Sequence, residues 1–156
     1  MWGWEIEDFL KIATVTKRAY GGVFHPETLP TAIEYPIAIV INVDHHWVAV
    51  YIDCFKKGYY FDSFGLPPLN VRVRRFLDTF SDVWSHSQIP IQCVTSSKCG
   101  HFCLFFLVYK CMGWGINQIL RPFKRYNVKI NDHFVKRWLQ NKKLGFMSWG
   151  EGCVLV

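Results

Sequence analysis

Apolar positions along the chain follow two periods, and the switches between them predict the elements. Between residues 4 and 18, Ile6, Phe9, Leu10 and Ala13 fall on one side of a 3.6-residue repeat, which predicts a first helix. Residues 21–36 are punctuated by Gly21, Gly22, Pro26, Pro30 and Pro36 and read as a connector. Apolar runs rich in Val and Ile predict strands at 37–43 and 47–54, a turn at 55–58 and a third strand at 59–62. Folding the chain back about residues 53–57 sets Asp62 beside the start of the strand that carries His46. Gly65-Leu66-Pro67-Pro68 is a hard break.

Beyond that break, Val73, Phe76, Leu77, Phe80 and Trp84 recur at helical intervals and predict a helix over 71–84. Residues 89–95 predict a short strand. Ser96 and Ser97 are N-cap candidates for a helix from Cys99 to about Met112, apolar almost all round and therefore the buried central one. A last helix, capped by Asn131 or Asp132, carries Phe134, Val135, Trp138 and Leu139, and the tail after Gly145 is too short to assign. Helices flanking a small mixed or antiparallel sheet make an α+β fold, read as one domain over 1–156.

Composition sharpens this picture. The chain is 51% hydrophobic and 17% aromatic, which excludes a disordered segment. No apolar run approaches the ~20 residues a membrane span requires. The start, MWGWEIEDFLK, lacks the features of a secretory signal, so a cytosolic or nuclear setting is expected. Six cysteines in that setting are expected to be reduced thiols. The spacing of Cys93, Cys99, His101 and Cys103 matches no common structural zinc site, so no metal is expected.

Charge is unevenly spread. Residues 110–143 hold nine Lys or Arg against one acid, Asp132, within a formal net charge of +6. A basic half of this kind points to a polyanion partner, although a solvated face would carry the same charges. The candidate contacts are Lys124, Arg125, Lys136 and Arg137, with non-specific DNA as the partner.

The candidate chemistry lies in four residues. Cys99 stands at a predicted helix start, where free amides and the helix dipole stabilise a thiolate. His46 opens a strand, Asp62 ends the next, and Gln92 precedes the cysteine by seven residues. A nucleophile, a base, a group to orient that base and a donor for the oxyanion are what thiol-protease chemistry needs. Each residue also has a plainer use: Cys99 as a small hydrophobe, His46 as an edge histidine beside His45, Asp62 as a turn cap, Gln92 as a backbone partner.

Four segments, His46-Trp47, Asp62-Ser63-Phe64-Gly65, Gln92 and Cys99-Gly100-His101-Phe102-Cys103, resemble the adenain family of adenovirus-type maturation proteases. They are more distantly similar to the SUMO-processing proteases of the same clan, which also use Asp at the acid position. The resemblance spans about residues 46–112, is fainter over 1–45 and 131–143, and ends near 146. It implies a papain-like active-site core with the chain order His, Asp, Cys. Cys99 is then the nucleophile, His46 the base, Asp62 its orienter and Gln92 part of the oxyanion hole, with Trp47 walling the cleft. Small residues, glycine above all, are expected just before the cut. Adenains take a disulfide-linked peptide activator and DNA; residues 81–91 contain no cysteine, so the disulfide is not expected here, while nucleic acid remains open.

The expected function is a monomeric cysteine endopeptidase that cleaves precursor proteins of a virus or virus-like mobile element, in the virion and in the nucleus or cytoplasm of the host, with no required cofactor. Two alternatives stand beside it. One is a peptidase acting on SUMO or ubiquitin-like conjugates; the other is a catalytically idle basic virion protein that packages nucleic acid.

Overall fold

The computed structural model describes the backbone of residues 1–149 and the side chains of residues 1–143. Residues 150–156, with Cys153 and the end of the tail, lie outside the described residues. Among the described residues the strands form one five-stranded sheet in sequence order: β1 (Tyr20–Phe24), β2 (Ile37–Val43), β3 (His46–Ile52), β4 (Lys57–Phe61) and β5 (Val83–His86). The β2–β3 and β3–β4 pairs are antiparallel, whereas β1–β2 and β4–β5 are parallel. The sheet is therefore mixed, because both edge strands run parallel to their neighbours.

The central strands are buried on both faces, which is why they read as continuous apolar runs. On one face lie α1 (Gly3–Ile12) and α3 (Cys99–Cys111), and α4 (Ile116–Leu120) and α5 (Val128–Trp149) pack in turn against α3. The other packs against α2 (Val71–Phe80) through Val73, Phe76 and Leu77. Helix α3 is the buried central helix, and Phe106 on it stacks on Phe61 of β4 at 4.7 Å between ring centres. The α+β fold, with its buried helix starting at Cys99, is as the sequence indicates.

Several boundaries differ from the sequence expectation, each for a local physical reason. Helix α1 stops at Ile12 instead of reaching 18, where the Thr16 hydroxyl donates to the Leu10 carbonyl and the chain turns. The supposed connector contains β1, which lies at the sheet edge and pairs with only one neighbour. Asn70 caps α2 by accepting from the Arg72 and Val73 amides, but the helix ends at Phe80. Trp84 lies in β5 instead, its indole N–H donating to Asp78 at 2.8 Å.

Residues 89–95 form no strand. The Ile91 and Gln92 amides both donate to the Ser63 carbonyl, at 2.9 and 3.1 Å, so the segment is pinned as a loop. The short helix α4 went unread because five residues carry no periodicity. Helix α5 begins at Val128, so neither Asn131 nor Asp132 is its cap.

Candidate active site

The β2–β3 hairpin separates the two adjacent histidines. Asp44 and His45 both have positive φ, 49° and 65°, as a two-residue hairpin turn requires, and the Asn42 side chain accepts from the His45 amide. His45 is thereby held in an exposed turn, while His46 is the first residue of β3. The antiparallel β3–β4 register, Ala49 opposite Phe61, carries Asp62 back to the head of β3. There Asp62 Oδ1 meets His46 Nε2 at 2.9 Å.

Asp62 is itself fixed. It is 5% exposed, its Oδ1 also accepts from the Phe64 amide at 2.8 Å, and its carbonyl accepts from the Gly65 amide. The turn needs Gly65, which has a φ of +73° and whose missing Cβ would meet the Ile89–Pro90 backbone at 2.8 Å. Phe64 then stacks on the imidazole, with ring centres 4.7 Å apart and planes 21° from parallel.

With Nε2 engaged by Asp62, the other ring nitrogen of His46 is left for Cys99. Burial alone would lower the pKa of His46, but the Asp62 hydrogen bond, the Cys99 sulfur and their charges lift it to about 9. Burial would conversely push the Cys99 thiol up. His46, the backbone amides of Trp47 and Gly100 and the imidazolium charge bring it below the ordinary thiol value. The pair favours thiolate and imidazolium together. Cys103, one turn further along α3, is fully buried and its thiol is pushed well above the ordinary range.

The thiolate–imidazolium pair exists above the lowered thiol pKa of Cys99 and below about pH 9, where His46 loses its proton. Alkylation of Cys99 by iodoacetamide should therefore rise at a pH below that of an ordinary thiol and reach a plateau before pH 9. In His46→Ala the rise should move up toward the ordinary thiol range. Rates measured by mass spectrometry across pH check this; an unshifted profile in the native protein would remove the ion pair.

Residues 96 and 97 do not cap α3 as the sequence led one to expect. The Ser96 hydroxyl accepts from the Lys98 amide, Lys98 occupies the cap position, and no side chain closes the first turn. The opening amides of α3 remain free to face the sulfur, which is what a thiolate requires. Gly100 leaves this approach open, since a Cβ there would press on Met1 Sδ at 3.0 Å and on the Trp47 ring at 3.3 Å. The Trp47 indole N–H donates to the Met1 carbonyl at 3.2 Å, so the N-terminal segment and Trp47 form one wall beside α3.

Gln92 is 3% exposed, and both ends of its amide are assigned by partners. The Ser63 hydroxyl donates to Oε1, while Nε2 donates to the Ser96 carbonyl at 2.9 Å. The Nε2 group carries a second proton besides the one given to Ser96. Gln92→Ala should lower kcat on a peptide substrate by ~10²–10³ with little change in KM, because such a donor acts on the transition state. Steady-state kinetics decide it, and a defect confined to KM would exclude an oxyanion role.

No family model and no curated protein matches the chain. Among solved structures, the central domain of the uncharacterized Lpg1148 protein from Legionella pneumophila superposes with a TM-score of 0.56 at 14% identity. That match covers 83% of this chain and 88% of the other. ChlaDub1 from Chlamydia trachomatis matches at 22% identity and a TM-score of 0.49, over 65% of this chain; this chain spans about half of it, 48%. A de-sumoylating protease matches at 14% identity and a TM-score of 0.44, over 93% and 80% of the two chains. The likeness is one of fold.

Three of the sequence-derived residues are thus brought together, His46 with Asp62 and Cys99, while Gln92 lies in a neighbouring loop bonded to Ser63 and Ser96. The supporting roles of three residues went unread. Ser63 and Phe64 lie within the quoted Asp62–Gly65 motif, so the signal was present but unassigned. Asn131 is 1% exposed; its amide donates to the Ile91 and Lys124 carbonyls, and its oxygen accepts from the Lys124 amide. It ties α5 to the Gln92 loop, and nothing local in its sequence signals that.

Lys124, Arg125, Lys136 and Arg137 are all exposed. Lys124 and Arg125 precede α5, and on α5 Lys136 and Arg137 are ~100° apart around the helix axis. Of the aromatics interleaved with them, Phe123 is buried, Tyr109, Trp114 and Trp138 pack together, and Tyr126 is fully exposed. Among the described residues, no cluster of three or more His, Cys, Asp or Glu is placed to hold a metal ion.

Proposed function

We propose that this chain is a cysteine endopeptidase in which Cys99 attacks the scissile carbonyl, His46 carries the proton, Asp62 orients His46 and Gln92 with the Cys99 amide receives the oxyanion. The observation that supports it most is the Asp62–His46 bond at 2.9 Å with the mutual shift of His46 and Cys99 toward an ion pair. A thiolate is the competent nucleophile, and protonated His46 is placed to donate to the leaving amine. A fully buried structural cysteine such as Cys103 has neither feature.

Glycine before the scissile bond fits the wall made by Trp47 and the N-terminal segment, because a residue without a side chain lets the substrate backbone approach closely. The proposed substrates are precursor proteins of a virus or virus-like element, an assignment that rests on the sequence resemblance. A second reading, cleavage of SUMO or ubiquitin-like conjugates, is favoured by exposed apolar side chains on two flanking segments. Trp2 and Trp4 lie on the Trp47 side, at 72% and 63% exposed, and Leu66 and Leu69 follow Phe64. A protein partner would cover such surface. Non-specific nucleic acid remains a proposed further partner through the basic C-terminal segment.

An electrophilic thiol probe should label Cys99 in the folded protein, and a peptide library should be cut with glycine leading at the position before the cleaved bond. SUMO and ubiquitin carrying a C-terminal fluorophore separate the two substrate readings. Hydrolysis of these far above the level of a matched peptide favours conjugates; peptide-level rates favour precursor chains. Absence of Cys99 labelling, with and without DNA, would overturn the peptidase and leave the idle basic protein.

A further inference from the structure

A second concave site opens one residue from the nucleophile. It is a hollow of about 270 Å³ between α1, the head of α3 and α5, lined by Lys98, His101, Lys136 and Lys143 together with Glu5. Lys136 and Lys143 are seven residues apart on α5, so they share one helix face, whereas Lys98 arrives from the loop before Cys99. Cations from distant parts of the chain are thus gathered on one cavity.

Their charge is answered only in part by the protein. Among the described residues, none of the three lysines forms an ion pair. Glu5, the one carboxylate of the lining, accepts from the Trp2 amide at 2.8 Å. Asp132, the one acid of the basic C-terminal segment, is not in this lining and faces Lys98 and Lys136 from a neighbouring hollow. His101 Nδ1 is buried without a hydrogen-bond partner. Burial, Lys98, the terminal amine and Lys143 outweigh the opposing Glu5 charge and drive the pKa of His101 down to about 4, so the ring is neutral. Three ammonium groups around a hollow with one carboxylate leave an excess of positive charge, and the ligand that relieves it is an anion.

We propose that this hollow binds a compact, multiply charged phosphate anion through Lys98, Lys136 and Lys143, with the His101 ring as a further donor once it is protonated. The occupant is a free oligophosphate rather than a nucleic-acid strand, because the lining converges from three elements onto a small concave volume. An exposed helix face would suit a duplex better.

The test titrates inorganic tripolyphosphate into the full chain and follows the His101 ring by NMR, against sodium chloride at equal ionic strength. A saturable shift is expected, with the His101 pKa rising by about one unit or more, since a bound anion favours the charged ring. Lys136→Gln with Lys143→Gln should weaken the apparent affinity by about tenfold or more, while Lys124→Gln with Arg125→Gln, an equal loss of charge elsewhere, should leave it. A shift reproduced by chloride, or equal weakening by both double variants, would reduce the effect to general screening and overturn the site. Saturation by a short DNA duplex but not by tripolyphosphate would overturn the compact ligand. The readout is binding, so it is independent of whether Cys99 cleaves peptides.

Discussion

Cys99→Ala is expected to abolish peptide-bond cleavage, by a factor on the order of 10⁴–10⁶, with the protein still folded. Position explains the contrast with its neighbour. Cys99 stands at the open end of α3, where the Gly100 and Trp47 amides and the His46 ring all act on its sulfur. Removing that sulfur takes away the nucleophile but little packing. Cys103 is 0% exposed inside the same helix and lies in the core with Phe102 and Phe106. Cys103→Ala should cost about 1–2 kcal/mol of stability and spare cleavage. Peptide turnover and thermal melting of the two variants check both halves. Residual cleavage in Cys99→Ala above ~1% of the native rate would place the nucleophile elsewhere, because such a loss is normally far larger.

His46→Ala should be inactive and His45→Ala largely active, although the residues are adjacent. The hairpin turn holds His45 at positive φ in solvent, whereas the β3–β4 register delivers Asp62 to His46. Without the imidazole, Cys99 loses the group that lowers its pKa and the proton carrier for the leaving amine. The expected loss is on the order of 10⁴ or greater, comparable with loss of the nucleophile because the two act as a unit. Asp62→Asn should be impaired less uniformly, since it orients the ring without exchanging protons with the substrate. Circular dichroism with single-turnover kinetics gives the comparison, and equal inactivation by both histidine changes in folded protein would end the assignment of His46.

The sequence by itself determined the centre of this molecule. Strands β2 and β3 and helix α3 are continuous apolar runs because each is covered on every side, and such runs are legible without neighbours. The placement of Cys99 at a helix start and of His46 and Asp62 at strand ends also follows from local pattern, since periodicity changes at those residues. Tertiary structure decided what local pattern does not carry. Strands β1 and β5 exist because a neighbouring strand offers backbone partners, and their few residues show no period of their own. Residues 89–95 have the apolar look of a strand, yet the Ser63 carbonyl and Asn131 take their backbone groups and make them a loop. Trp84 continues the α2 repeat in sequence but pairs with β4, because backbone pairing at the sheet edge outweighs one more helical turn. Lys98, Lys136 and Lys143 are scattered along the chain, and only the packing of α5 against the head of α3 brings them to one hollow. Helical and strand periods report which side of an element is buried, whereas hydrogen bonds and charges that meet across the fold are set by how the elements dock.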